Sequence, residues 1–164
     1  MPLPKGPARC HVRPAQPEDA EAIYEAHTAA IRRTLARDYP PEVLAAHAAR
    51  QSPKKYRARI ETGGVLVAVV GGQVVGFAHP LPGKLAALYV HPDFQGRGIG
   101  SALLREAERG ACAGGGTEVV VNSSLTAVGF YERQGYVREG EGAVELGGVL
   151  FRYVAMRKRW PLPA

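Results

Sequence analysis

The chain has 164 residues, 46% of them hydrophobic, and a formal net charge of +6 at pH 7. A chain of this length can bury a sizeable core as one domain without staples. Cys10 and Cys112 are the two cysteines and stand far apart, which excludes a disulfide framework or a zinc knuckle. No apolar run approaches the ~20 residues of a membrane span. We therefore predict a flexible N-terminal arm over 1–9, one domain over 10–160, and a cytoplasmic location.

The basic charge favours an anionic partner without identifying one. Aromatic residues that could stack on bases are not interleaved with the basic groups, and no nucleic-acid-binding motif is present. Nucleic-acid binding would rest on charge alone, so we predict neither a nucleic-acid nor a membrane partner. The basic groups are Arg32, Arg33 and Arg37, then Lys54, Lys55, Arg57 and Arg59, then Arg157, Lys158 and Arg159.

The first part of the chain predicts one strand and three helices. A strand over 10–13 is followed by prolines and acids that announce a helix. Apolar residues then recur at helical spacing as far as Leu35, and Tyr39-Pro40-Pro41 ends this helix near residue 37. A second helix is predicted over 42–50, and Ser52-Pro53 begins a third that runs to residue 62.

The rest of the chain predicts strands alternating with helices. Gly71-Gly72 joins the strands 65–70 and 74–79 in a hairpin. A strand over 84–90, a helix over 99–111, a strand over 117–121 and a helix over 125–133 follow. Two final strands are predicted from residue 136 and over 149–156. The class is α/β (α+β), with a mixed and mostly antiparallel sheet.

Three alternating glycines, Gly96, Gly98 and Gly100, lie between the strand 84–90 and the helix 99–111. Helix N-termini present free amides and partial positive charge, and glycine lets a phosphate approach them closely. A tight turn between a strand and a helix rarely needs three alternating glycines. We therefore predict a phosphate or pyrophosphate site.

Two familiar phosphate loops do not fit this spacing. A P-loop needs a lysine before its Ser or Thr, whereas this loop ends Gly100-Ser101. A dinucleotide fingerprint started at Gly96 or Gly98 lacks its third glycine, since Leu103 occupies that place in the second case. Both are excluded.

The segment Gln95-Gly96-Arg97-Gly98-Ile99-Gly100 resembles the Gln/Arg-x-x-Gly-x-Gly/Ala motif of the GNAT family of acetyl-CoA-dependent N-acetyltransferases. A second segment, Phe130-Tyr131-Glu132 with Gly135-Tyr136, resembles the Phe-Tyr-Glu-x-x-Gly-Phe/Tyr motif of the same family. The two motifs occur in the family's order. The resemblance implies a sheet of about six to seven strands with helices on both faces.

The resemblance also implies acetyl-CoA as co-substrate, without a metal. The glycine loop would hold its pyrophosphate, and the backbone of residues 88–90 would pair with its pantetheine arm. Tyr131 would donate a proton to the leaving thiolate, and an amide near Val90 would bind the thioester oxygen. The implied cofactor-binding residues are Leu88, Tyr89, Val90, Gln95, Gly96, Arg97, Gly98, Ile99, Gly100, Ser101, Asn122, Ser124 and Tyr131.

One family feature is missing. Where many relatives carry a glutamate that deprotonates the amine, this chain has Lys84. We rank His79 first as a substitute, although a histidine before Pro80 is also typical of a structural role. The alternatives are Tyr24, Glu25, His27 or a chain of waters. Ser124 stands where relatives often have Asn, and Asn122 could supply that amide.

The function predicted from these features is transfer of an acetyl group from acetyl-CoA to a primary amine by direct attack. The amine could belong to a small molecule or a protein, and a homodimer is left open. The alternative is a module that binds acyl-CoA as a sensor or scaffold without turnover, which the missing glutamate favours.

Overall fold

The computed structural model describes residues 9–159, so the predicted arm lies outside the described residues except for Arg9. Seven strands within this range form one sheet in the order β1-β2-β3-β4-β5-β7-β6. Only the β4–β5 pair is parallel. The predicted mixed, mostly antiparallel sheet is confirmed. The strands are β1 (Cys10–Pro14), β2 (Leu66–Val70), β3 (Gln73–Leu81), β4 (Lys84–Val90), β5 (Glu118–Ser124), β6 (Val137–Leu146) and β7 (Val149–Arg159).

The helices lie where the sequence predicts them, with one irregular element. The first begins as a 3₁₀ turn, continues as α1, and then passes through a π-helical turn (Ala30–Thr34) and a 3₁₀ turn (Leu35–Arg37). The end near residue 37 is confirmed, whereas the π-helical turn was not predicted. The α-helices are α1 (Ala20–Ala29), α2 (Pro41–Ala49), α3 (Pro53–Thr62), α4 (Ile99–Ala111) and α5 (Val128–Arg133). None of them is long and apolar enough to cross a membrane.

Local signals act as the sequence suggested. Ser52 caps α3 by accepting a hydrogen bond from the Lys55 amide at 3.2 Å. Gly71 and Gly72 have φ angles of 57° and 78°, the left-handed pair that a two-residue hairpin turn needs. The predicted hairpin is therefore confirmed.

Strand β5 is longer than predicted. It pairs with β7 from Glu118 through Ser124, so the predicted end at residue 121 is wrong. The polar residues Asn122 and Ser123 remain in the strand because β7 supplies their backbone partners. The helix predicted from residue 125 starts as a 3₁₀ turn (Leu125–Ala127), and α5 begins at Val128.

Helices cover both faces of the sheet, as predicted. On one face, Leu103 and Leu104 of α4 pack with Val75 and Val119. On the other face, α1 and α3 pack against β2 and β3, and this layer contains Ile23, Tyr56, Val67 and Phe77. The buried apolar side chains of these two layers supply most of the favourable free energy of folding.

Strands β4 and β5 separate soon after they meet. Their only residue pairs are Lys84 with Val120 and Leu85 with Val121. Beyond Leu85, the backbone of β4 pairs with β3 on one side alone. The sheet therefore opens between residues 86–90 and the end of β5, and this opening positions the candidate site.

Candidate active site

A groove with a volume of about 520 Å³ begins where β4 and β5 separate and continues to the N-terminus of α4. Its walls come from β4, the glycine loop, the end of the α1 segment, and the connection from β5 into α5. The structure places ten of the predicted cofactor-binding residues along it: Leu88, Tyr89, Val90, Gln95, Gly96, Gly98, Ile99, Gly100, Ser101 and Ser124.

The glycine loop leaves backbone amides free at one end of the groove. Gly98 caps α4 in the left-handed conformation, with φ of 78° and ψ of 6°. Ala102 is the first residue of α4 whose amide donates backward, to the Gly98 carbonyl at 3.1 Å. The amides of Ile99, Gly100 and Ser101 therefore remain for an anion, which the helix dipole also favours.

The opposite wall comes from the π-helical turn and its continuation. Thr34 lines the groove and its hydroxyl accepts a hydrogen bond from Gln95 Nε2 at 3.0 Å. Arg33 of the same turn bonds Asp93 at 2.9 Å, next to the glycine loop. The sequence predicts a helix here but not its π-helical turn, because residues 30–34 have the composition of an ordinary helix.

The groove is suited to an anionic ligand. Its two charged lining side chains, Arg37 and Arg133, are both exposed, and no Asp or Glu occurs among the lining residues, all of which fall within the described chain. Thr126 also lines it, and the buried hydroxyl of Thr126 has no hydrogen-bond partner. A ligand with phosphates and amide groups, such as coenzyme A, could satisfy the free amides and this hydroxyl.

Tyr131 is 4% exposed and does not line the groove directly. Its ring packs edge-on against those of Phe130 and Tyr136, with centroids 5.1 Å and 5.4 Å away. Burial raises the pKa of Tyr131, and the nearby phenol of Tyr89 raises it further. Tyr131 is therefore protonated at neutral pH, as a proton donor must be.

Three other predicted residues have different surroundings from those expected. The Arg97 guanidinium lies over the Phe94 ring, 5.3 Å from its centroid, outside the groove lining. Asn122 is exposed and also lies outside the lining. Ser124 does line the groove, but its hydroxyl accepts the Ala127 amide at 3.2 Å as a helix cap.

His79 lies on β3 opposite Ala87, away from the groove lining. It is 7% exposed, and neither ring nitrogen has a hydrogen-bond partner. Burial lowers its pKa, and the charge of Arg59 lowers it further. Lys84, at the family's glutamate position, is exposed at the start of β4.

The alternative proton acceptors on α1 differ in burial. Glu25 is exposed and Tyr24 is half-buried. His27 is 3% exposed, and its ring centroid lies 4.1 Å from that of Tyr89, a groove residue. Across residues 9–159, no cluster of three or more His, Cys, Asp or Glu could hold a metal ion.

Known proteins are similar to this chain in fold and in sequence. A GCN5-related N-acetyltransferase structure from Rhodopseudomonas palustris superposes with a TM-score of 0.86 at 34% identity, covering 91% of this chain and 94% of that one. The uncharacterized N-acetyltransferase YafP of Escherichia coli strain K12 is 28% identical over 146 residues, or 89% of this chain and 93% of YafP. YncA of Salmonella typhimurium, solved with its cofactor acetyl-CoA, has a TM-score of 0.71 at 21% identity, covering 96% and 97% of the two chains.

The fold and groove define the class: an α/β protein whose groove begins between two diverging strands and ends at the N-terminus of a helix. Residues 35–159 match the family described as acetyltransferase (GNAT) domain. The chain belongs to the GNAT family and is an acyl-CoA-dependent N-acyltransferase.

Proposed function

We propose that this protein transfers an acetyl group from acetyl-CoA to the primary amine of an acceptor. The observation that carries the proposal is the groove itself, which connects unpaired β4 backbone to the free amides of α4. Backbone amides suit the peptide-like pantetheine arm, and helix N-terminal amides suit the pyrophosphate. The acetyl-CoA bound to YncA supports this choice of co-substrate.

The chemistry proposed is direct attack of the amine on the thioester carbonyl. A backbone N–H near Val90 would stabilise the negative charge that develops on the thioester oxygen. Tyr131, buried and protonated, would supply the proton for the leaving thiolate. The acceptor would be the amine of a small molecule or of a protein.

The alternative of a sensor that binds acyl-CoA without turnover is favoured by one observation: the groove lining described above contains no carboxylate to deprotonate an amine. Thermal melts with acetyl-CoA, CoA and ATP, combined with an assay of CoA release, separate the possibilities. A ligand that binds only the folded state stabilises it by about 2.7 kcal/mol at a hundredfold excess over Kd. We expect shifts with acetyl-CoA and CoA but not ATP. Shifts without any CoA release across an amine panel would support the sensor.

Tyr131→Phe tests the chemical role separately from binding. Because the change removes one oxygen from a packed ring, we expect acetyl-CoA affinity to persist while kcat falls about a hundredfold. Tyr136→Phe is the matched control, since it removes a buried hydroxyl that bonds Glu108 at 3.1 Å on the neighbouring ring. Unchanged kcat in Tyr131→Phe, measured by thiol release, would contradict the proposed role.

A further inference from the structure

The helical face that lines the groove at Ala30 and Thr34 extends back along α1 into the protein interior. Ala30 and Thr34 line the groove, and His27 lies one turn before Ala30 on the same helical face. The His27 ring packs against Tyr89 on β4, with centroids 4.1 Å apart. The Tyr89 ring therefore lies between His27 and the opening where β4 separates from β5.

A chain of hydrogen bonds fixes the tautomer of His27. Gln51 donates through Nε2 to the His47 carbonyl at 3.2 Å, so its Oε1 is the acceptor. Tyr56 donates its hydroxyl proton to that oxygen at 3.1 Å. The Tyr56 oxygen must therefore accept from His27 Nδ1, 2.5 Å away, and the neutral ring carries its proton on Nδ1.

The other ring nitrogen of His27 is left as an acceptor. Nε2 is buried and has no hydrogen-bond partner. A neutral histidine whose Nδ1–H is held by a partner presents an Nε2 lone pair in a fixed direction, as general-base histidines do. A buried acceptor without a partner is costly, so its retention calls for a reason.

The surroundings of His27 keep it neutral. Its titratable or charged neighbours are His47 from α2, then Lys55, Tyr56 and Arg59 from α3, and Tyr89 from β4, while β3 contributes the uncharged Phe77. Burial lowers the pKa of His27 well below its usual value, and the positive charges of Arg59 and Lys55 add to this effect. The proton-accepting form is thus fully present at neutral pH.

Buried His79 and half-buried His47 lack this combination. His79 has no partner on either ring nitrogen, so nothing fixes its tautomer. His47 stacks on Phe151 with centroids 4.6 Å apart, and burial, with the charge of Lys55, lowers its pKa to about 4. Phe151 also stacks on Tyr39 at 4.6 Å, so these three rings form a stacked cluster.

We propose that His27 takes the proton from the acceptor amine, in place of the family's glutamate, and that Tyr56 and Gln51 are positioning residues that hold its tautomer. The amine would approach on the Tyr89 side of the opening between β4 and β5, and because His27 Nε2 is buried and lies outside the groove lining, the proton would reach it through one bound water. This inference rests on the proposed function, and it replaces His79 as the first candidate.

The step balances as follows. The ammonium group loses one proton to His27 Nε2, and the amine nitrogen then bonds to the acetyl carbon while the C–S bond breaks. The electron pair of that bond stays on sulfur, which receives the second nitrogen proton through the Tyr131 hydroxyl. The products are the amide, the CoA thiol and one proton that His27 returns to water.

Benzylamine and phenylhydrazine, two phenyl-containing nitrogen nucleophiles of similar size, test the proton transfer to His27. Benzylamine is protonated near neutral pH and needs a base, whereas phenylhydrazine is already neutral there and does not. We expect the wild-type protein to acetylate both. His27→Gln should lose about a hundredfold or more in kcat/KM for benzylamine but stay within about threefold for phenylhydrazine. A structural defect would lower both equally.

Two further variants complete the design. His11→Gln, on the exposed part of β1, should leave both rates unchanged. Tyr56→Phe should lower the benzylamine rate selectively, and ¹⁵N spectra of histidine-labelled protein should show His27 losing its pure Nδ1–H signature. The wild-type spectrum should show that signature at neutral pH.

The outcomes separate the two proposals. A protein that shows no thermal shift with acetyl-CoA contradicts the proposed function itself. If acetyl-CoA binds, the assignment of His27 is overturned by equal losses for the two amines in His27→Gln, by undiminished benzylamine turnover, or by wild-type protein that acetylates neither probe. A wild-type His27 protonated on Nε2 would overturn it as well.

Discussion

Gly98 bears most directly on cofactor binding at the scale of single residues. Its φ of 78° is a conformation that costs other residues about 1–2 kcal/mol, and because a Cβ there meets nothing within 4 Å, the cost of a substitution is strain in the turn that presents the free amides of α4. We expect Gly98→Ala to weaken acetyl-CoA binding about tenfold, or about 1.4 kcal/mol, by isothermal titration calorimetry.

Gly71 provides the matched control for this substitution. It also has positive φ, at 57°, and open space around its Cα, but it lies in the β2–β3 turn. Gly71→Ala should carry a similar backbone strain and leave the acetyl-CoA affinity unchanged. Equal affinities in Gly98→Ala and wild type would show that the loop amides do not bind the pyrophosphate.

The glycine loop could be predicted from sequence because its function depends on backbone amides that follow one another along the chain. The proposed proton acceptor, His27, was one of several candidates in the sequence and could not be singled out there. The tautomer of His27 depends on Tyr56 and Gln51, which come from different elements and follow no short spacing. The missing carboxylate at Lys84 was the available signal, and it indicated only that a substitute was needed.

At the scale of secondary structure, Gly76 controls how closely β3 approaches β4. A Cβ on Gly76 would meet the Tyr89 carbonyl oxygen at 2.8 Å and Leu103 Cδ1 at 3.2 Å. Because the first contact is with backbone, β4 would have to shift. We expect Gly76→Ala to lower the free energy of unfolding by about 1–3 kcal/mol in urea titrations.

Gly140 on the exposed strand β6 is the control for Gly76, since a Cβ there meets nothing within 4 Å. Gly140→Ala should be neutral or slightly stabilising, because alanine restricts the unfolded chain. Equal stabilities for the two variants would argue against a close approach at Gly76.

The periodicity of apolar residues predicted the helices and strands, but it did not predict the irregular turn and the strand extension within them. The spacing of Ile31 and Leu35 places the helix end correctly, but a π-helical turn shifts backbone hydrogen bonds without changing which residue types are needed. The extension of β5 through Ser124 likewise depends on β7, which lies far along the chain. Both features shape the groove, so the local pattern located the site without its walls.

At the scale of the whole molecule, two buried histidines and the half-buried His47 make stability depend on pH. Burial lowers the pKa values of His27, His47 and His79 in the folded protein, that of His47 to about 4. In the unfolded chain they bind protons below about pH 6.5. Their contribution is therefore complete above that pH and declines as the pH falls below it, by at most about 1.4 kcal/mol per pH unit for each histidine.

Urea unfolding across this acidic range should show the decline, and His47→Gln should flatten it by removing one of the three protons taken up on unfolding. The free energy of unfolding of His47→Gln at neutral pH is the reference from which its decline at lower pH is measured. An identical slope in the variant and wild type would mean that His47 titrates alike in both states.

The short pairing between β4 and β5 also divides the sheet into two parts, each formed by one continuous stretch of the chain. Strands β1–β4 form one block, strands β5–β7 form the other, and the exposed glycines 114–116 follow α4 on the way between them. Cutting the chain at these glycines would leave each block with all its hydrogen-bonded strand neighbours except across two residue pairs. Acyl transfer would then require reassembly of the two fragments, so the scaffold is suited to a split reporter whose enzymatic signal reports proximity.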